Sequence, residues 1–306
     1  MNDTAANEPD TLQTLRQVLD SVDALRNGRA LWLLLATFAM AGLLLASAQA
    51  ALGKASMPGA VLWGGLALFA TFYGSNAAGL MVMDQACGRP VRDPVAALSA
   101  SLRCSHRLLI VMLLLAGGLA VIGLLSALLL KLAAAPAFGP LLLGLLVPLL
   151  VPALGLTLLA LVLLAAPLAA PAVWSGLGVR AVLRLLAAQA RRRFVHVLLM
   201  TGAVGLLSAV ITAGVSFTVL AGGRVTAYLA VLVAGVDLAP DPFLAALFGQ
   251  GVRVSARGLS AHGIAAQTGA GVVFALGLAL PGLVYLRGLC AVFLALQPRR
   301  SVASAP

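Results

Sequence analysis

The chain has 306 residues, 62% of them hydrophobic and 9% charged, with a mean hydropathy of +1.07 and a formal net charge of +11. Soluble domains are about half apolar, so composition excludes an ordinary soluble domain. Apolar runs long enough to cross the bilayer recur, about 20 residues covering roughly 30 Å of hydrocarbon, and they predict an all-α polytopic transmembrane bundle of about six spans.

Residues 1–29 read as a cytoplasmic segment. It is polar and acidic, and no basic stretch precedes the first apolar run, so a retained first span is expected rather than a cleaved signal peptide. Leu12, Leu15, Leu19 and Val22 recur at helical steps, with Arg16 and Asp20 four apart on another face. Spans follow at Ala30–Leu52, Val61–Met83, Leu108–Leu130, Leu141–Pro167, Val195–Ala221 and Ile264–Leu286. Pro148 and Pro152 lie inside the fourth, and a kink is expected near Leu149 because each proline lacks an N–H and clashes with the preceding turn. Residues 222–263 are expected to form a periplasmic cap: Val225–Val236 is too short to span, and Asp241-Pro242 reads as the start of a short helix over Phe243–Phe248. Residues 297–306 form a cytoplasmic tail.

Basic residues set the orientation. One side carries Arg16, Arg26 and Arg29, then Arg89, Arg92, Arg103 and Arg107, then Arg180, Arg184 and Arg191–Arg193, then Arg287, Arg299 and Arg300. The other carries Lys54, Lys131, Arg224, Arg253 and Arg257. Both termini should therefore be cytoplasmic. The excess of Arg over Lys, with abundant Ala and Leu, is that of a GC-rich bacterial gene, which makes the expected location the bacterial inner membrane. Positive charge of this kind follows from topology, and nucleic-acid binding is not expected.

The densest charge lies in "DQACGRPVRDPVAALSASLRCSHR", Asp84–Arg107. Val95, Leu98 and Leu102 form an apolar stripe there, opposed by Ser99, Arg103, His106 and Arg107. Leu183, Leu186, Ala190 and Phe194 do the same before the fifth span, opposed by Arg180, Arg184 and Arg191. Such helices lie in the interface, apolar face in the acyl boundary and arginines at the headgroups. At an offset of 88, Gly88, Val91, Arg92, Leu98, Ala100 and Arg103 fall on Gly176, Val179, Arg180, Leu186, Ala188 and Arg191; "DSVDAL" (Asp20–Leu25) resembles "DPVAAL" (Asp93–Leu98). The expected plan is three repeats of an amphipathic elbow helix followed by a two-span hairpin. Arg89, Arg92, Arg103, Arg107, Arg180, Arg184 and Arg191 are the candidate contacts for anionic lipid headgroups at the cytoplasmic face, each contributing about 1 kcal/mol near the surface.

No ionisable residue is expected deep in a span; Asp84 and Arg287 are placed at span ends. Thr201, Gly205, Ser208, Thr212 and Ser216 share one face of span five, and Thr71, Ser75 and Gly79 one face of span two. Stripes of this kind serve close packing, and Asn76, Ser208, Thr212 and Ser216, with Gln267–Thr268, are the candidate intramembrane polar groups. Cys87, Cys104 and Cys290 show no metal spacing and read as small, reduced thiols. No HExxH, GxSxG, P-loop or dinucleotide motif occurs in its required context. An enzyme is not expected, nor a cofactor or metal.

"YGSNAAGLMVMDQACGRPV" at the close of span two, the arginine-rich elbows and "GLVYLRGLCAVFLAL" near the end resemble a group of uncharacterised bacterial six-helix inner-membrane proteins. That group is similar in layout to the membrane domain attached to some glycerophosphodiester phosphodiesterases. The resemblance implies an integral inner-membrane protein; the phosphodiesterase catalytic domain has no counterpart here. It makes Asn76, Asp84, Arg89 and Arg287 the first positions to test. The functional expectation is a membrane accessory or scaffold subunit acting by contact with lipid, a protein partner or a second copy. The alternative is a small-solute or lipid transporter, or a subunit of one.

Overall fold

The computed structural model describes Asp23, Arg26 and residues 27–133, 138–234 and 261–297, without the side chains at 231, 234 and 261–268. The expected N-terminal amphipathic helix, the Asp241-Pro242 helix, the side chains of Gln267–Thr268 and the tail arginines Arg299 and Arg300 lie outside the described residues. Within them the fold is all-α, with no strand. The helices are α1 (Gly28–Gly53), α2 (Met57–Ala86), α3 (Pro94–Leu132), α4 (Gly139–Ala160), a π turn (Leu161–Ala165), α5 (Ala166–Trp174), α6 (Val179–Arg192), α7 (Phe194–Ala234) and α8 (Ala261–Leu296). Six of the resulting helical stretches are long and apolar enough to cross a membrane: α1, α2, α3, α4 through α5, α7 and α8.

The chain divides into two compact units. The first holds Leu19–Ser101 and Val204–Gly288. Its α1 and α2 form an antiparallel hairpin, in which Gly74 sits so close to the Thr37 side chain that no Cβ would fit. Thr37 turns its hydroxyl back on its own helix, donating to Leu33 O at 2.7 Å. Burial on α2 is concentrated between Gly74 and Asp84. The antiparallel course of α7 and α8 is fixed by Val204 against Gly288, Ser208 Oγ donating to Pro281 O at 3.2 Å, and Val215 against Gly277.

The second unit holds Leu102–Ala203 and the segment from Leu289. Helix α4 runs unbroken through Pro148 and Pro152, the prolines on which the kink near Leu149 was expected, and changes to a π turn at Leu161–Ala165. The cause is downstream. Pro167 has no N–H for the carbonyl of Leu163 four residues earlier, and Thr201 Oγ1 donates to that carbonyl at 2.6 Å. π turns are a usual way to absorb such a defect. Helix α5 is buried from Pro167 to Trp174 apart from partly exposed Ala170, and α6 packs against it.

Three helix bounds correct the sequence reading. The second elbow and third span form one helix, Pro94–Leu132, because no proline interrupts it after Pro94. Helix α7 continues past Ala221 to Ala234; the Gly222-Gly223 pair costs only about 1 kcal/mol per glycine and does not stop it, so the first part of the expected cap is helix. Helix α8 continues nine residues beyond Arg287, with Leu289, Cys290, Val292 and Phe293 buried. Arg287 therefore stands inside that helix and not at its end.

Exposure follows lipid logic. From Met112 to Leu132 only Ser126 is buried, and on α4 only Gly139. Hydrocarbon is as apolar as a leucine side chain, so such faces need no protein cover.

Candidate functional site

Helix α2 ends in a left-handed glycine. Gly88 has φ +66°, its N–H donates to Gln85 O at 3.1 Å, and Arg89 N donates to Asp84 O at 2.9 Å. That is a Schellman ending, and it folds the chain back so that Arg92 reaches Asp84. The guanidinium holds the carboxylate with two bonds, Nε to Oδ2 at 2.5 Å and Nη2 to Oδ1 at 2.8 Å. The Asp84 side chain is 5% exposed and that of Arg92 31%. A fork of this kind is the strongest arrangement a guanidinium makes with a carboxylate. Arg92, read from sequence as a headgroup contact, is thus engaged within the protein.

The same end of α2 grips the start of α1. Asn27 Oδ1 caps α1 by accepting from Ala30 N at 3.1 Å, and its Nδ2 donates to Gln85 Oε1 at 3.2 Å. Gln85 Nε2 in turn donates to Asp23 O at 3.3 Å. Sequence reasoning passed over Asn27 and Gln85. The available signal was a pair of amide side chains at the two ends of one predicted hairpin.

Helix α5 ends in the same way as α2. Gly176 has φ +94°, its N–H donates to Val173 O, and Leu177 N donates to Ala172 O. Gly88 and Gly176 are 88 residues apart, but the helices that follow begin at Pro94 and Val179, 85 apart. The third turn is three residues shorter. The ungapped alignment therefore holds for the turns and loses register in the elbows: Leu98 is 41% exposed, whereas Leu186, its partner at offset 88, is buried.

The two elbows present different faces. On α3, Ala97, Ser101 and Ser105 are buried, and Ser101 Oγ donates to Tyr73 O at 2.7 Å. Val95, Leu98 and Leu102 are exposed, as are Arg103, His106 and Arg107. On α6 the stripe is turned inward: Val182 and Leu186 are buried by the protein itself, not by lipid, and Leu183 is partly exposed. Arg180, Arg184 and Arg191–Arg193 are all exposed. The basic last turn of α6 suits the negative end of the helix dipole.

Arg89, Arg103, Arg107, Arg180, Arg184 and Arg191 are exposed and make no ion pair among the described residues. Asn76 is buried in α2, with Nδ2 donating to Phe72 O at 2.8 Å. Ser208 and Thr212 line an open groove of about 520 Å³ with Gly205, Ala209, Ala213 and Tyr285; Ser216 and Asn76 are not part of its lining. Thr212 Oγ1 donates to Ser208 O at 2.7 Å within its helix. Among the described residues no group of three or more His, Cys, Asp or Glu converges to hold a metal, and no cysteine is in a disulfide.

No family model matches the chain, and neither a curated protein nor a solved structure is found to match it. The chain is thus a polytopic α-helical membrane protein, defined by its own geometry.

Proposed function

We propose that this protein acts by contact: an inner-membrane accessory or scaffold subunit, without catalysis of its own, whose cytoplasmic face holds anionic headgroups. The observation that carries this is α6. Its apolar side is packed on the protein, and its arginines point outward with no acidic residue anywhere between Asp93 and Asp237 to balance them. None of them is ion-paired among the described residues, and in a membrane protein a ready source of counter-charge is the anionic leaflet. The exposed Val95, Leu98 and Leu102 stripe beside Arg103 and Arg107 supports the same reading for the second elbow. The resemblance to uncharacterised six-helix inner-membrane proteins, and the three-unit plan it shares with the matching turns at Gly88 and Gly176, belong to this proposal, as does a cytoplasmic position for both termini. A partner protein or a second copy would use the same faces.

The transport reading has one observation in its favour, the groove carrying Ser208, Thr212 and Tyr285. Reconstitution into liposomes with and without phosphatidylglycerol separates the two. The expected outcome is no solute flux or lipid scrambling above protein-free vesicles. Stabilisation by the anionic lipid should weaken at high salt and in the triple variant Arg180→Gln, Arg184→Gln, Arg191→Gln. Protein-dependent flux would move the assignment to transport.

A further inference from the structure

Residues 1–22 lie outside the described residues, but the place where they join the fold is fixed. Gln85 Nε2 donates to Asp23 O at 3.3 Å. The neighbouring Asp84 holds Arg92, two residues before α3 starts at Pro94. The N-terminal segment and α3 therefore depart from adjacent residues at the end of α2.

Beyond that anchor α3 presents an uncovered amphipathic face. Val95, Leu98 and Leu102 are 75%, 41% and 50% exposed. Arg103 and Arg107, exposed and without an ion pair among the described residues, flank the far end of the stripe. The opposite side is taken: Ala97, Ser101 and Ser105 are buried, and Ser101 Oγ donates to Tyr73 O.

The N-terminal segment carries the complement of this face. Val22, Leu19, Leu15 and Leu12 recur at steps of three and four, the spacing of one helix face, and Asp10, Glu8 and Asp3 lie beyond them. Counted from the shared anchor, these apolar positions stand one, four, eight and eleven residues from Asp23, and those of α3 two, five and nine residues from Asp93. Asp10 and Glu8 stand 13 and 15 residues from Asp23, and Arg103 and Arg107 stand 10 and 14 from Asp93. At the helical rise, carboxylates and guanidiniums both fall about 15 to 23 Å from the anchor. The stripes and the charges match when the segment lies antiparallel along α3. Lipid also covers an apolar stripe, but an anionic leaflet repels Glu8 and Asp10, whereas the arginines attract them. The tether makes the encounter intramolecular, at an effective concentration in the mM range.

We infer that the N-terminal segment docks antiparallel on this face of α3, its leucines on Val95, Leu98 and Leu102, and Glu8 and Asp10 on Arg103 and Arg107. It competes there with the anionic leaflet. The headgroup contact of the second elbow, on which this regulatory role rests, is made when the segment is released.

The test is disulfide trapping of the full chain in isolated membranes, with Cys87, Cys104 and Cys290 replaced by Ser and Leu15→Cys paired with Leu102→Cys. An oxidant should link the two within one chain, read by mass spectrometry of the tryptic peptides. Leu15→Cys paired with Lys54→Cys, at the far end of the α1–α2 hairpin, should not link. Glu8→Arg with Asp10→Arg should slow linking by about fivefold, in the range for two exposed ion pairs, and high salt should slow it likewise. Adding Arg103→Glu and Arg107→Glu should restore the rate, which misfolding does not do. Absence of the link from Leu15→Cys to Leu102→Cys overturns the inference and leaves the face to lipid. A link between chains overturns it in favour of a second copy. Linking unmoved by the charge reversals overturns it as well, since nearness to the anchor then suffices. The triple variant of α6 should leave the link intact. Lipid stabilisation that falls in that variant while no link forms leaves the headgroup reading standing alone; a link without any lipid dependence removes that reading and keeps the docking.

Discussion

Thr201 supplies the hydrogen bond that Pro167 withholds from Leu163. Its Oγ1 lies 2.6 Å from Leu163 O, the acceptor stranded four residues before the proline, and 2.8 Å from Val197 O in its own helix. The single hydroxyl proton is shared between an intrahelical and a cross-helix acceptor. In hydrocarbon no water stands in for it. Thr201→Val keeps the shape and removes the donor, and it should destabilise the protein by about 1–2 kcal/mol. Thr201→Ser should recover most of this. Unfolding in mixed micelles reads both, and a valine variant as stable as the parent would show that the π turn needs no such partner.

A different kind of contact holds α7 to α8. A Cβ at Gly288 would come within 2.5 Å of Val204 Cγ1, whereas one at Gly277 would rest at 3.5 Å from Val215, an ordinary contact. Gly288→Ala should therefore cost about 1–3 kcal/mol through overpacking, and Gly277→Ala should be close to neutral. Val204→Ala in the Gly288→Ala background should restore part of the loss. Additive effects of the two substitutions would remove the steric explanation.

The sequence made the spans legible because hydrocarbon thickness sets a length that apolar runs must meet. It did not reveal which side of a span is inside. In water, Val95, Leu98 and Leu102 would mark the buried stripe of α3; in a membrane the lipid-facing side is as apolar as any core, and Ala97, Ser101 and Ser105 take the packed side because small residues allow close approach. Helix ends were misplaced for a related reason. A drop in hydropathy at Arg107, Ala221 or Leu286 marks a change of solvent, but a helix stops only where a proline, a cap or a left-handed glycine stops it. Gly88 and Gly176 do so, whereas Arg107, Ala221 and Leu286 are continuous helix. The Asp84–Arg92 pair was hidden because its eight-residue spacing has meaning only once Gly88 has reversed the chain.

That pair invites a double-mutant cycle. Asp84→Ala removes the carboxylate fork from Arg92, and Arg92→Ala takes both guanidinium bonds from a buried carboxylate. Each should be destabilising, the second more so because Arg92 is about a third exposed and its charge can turn to solvent. The double variant should be less destabilised than the sum of the singles, with a coupling of about 1–3 kcal/mol. Zero coupling would mean that the Schellman turn at Gly88 alone sets the geometry.

Cys87 gives the orientation a direct readout. It is exposed at the end of α2, within the turn that carries Arg89 and Arg92, while Lys54 is exposed between α1 and α2 at the opposite end of the same hairpin. In a chain with Cys104 and Cys290 replaced by Ser, a membrane-impermeant maleimide applied to intact cells should leave Cys87 unlabelled and react once the membrane is permeabilised. With Cys87 also replaced and Lys54→Cys introduced, labelling should occur in intact cells. The expectation rests on the retention of basic segments on the cytoplasmic side, and Arg89, Arg103 and Arg107 lie in and just after that turn. The reverse pattern would put the arginine-rich elbows outside and remove the electrostatic basis for the headgroup contacts proposed for α6.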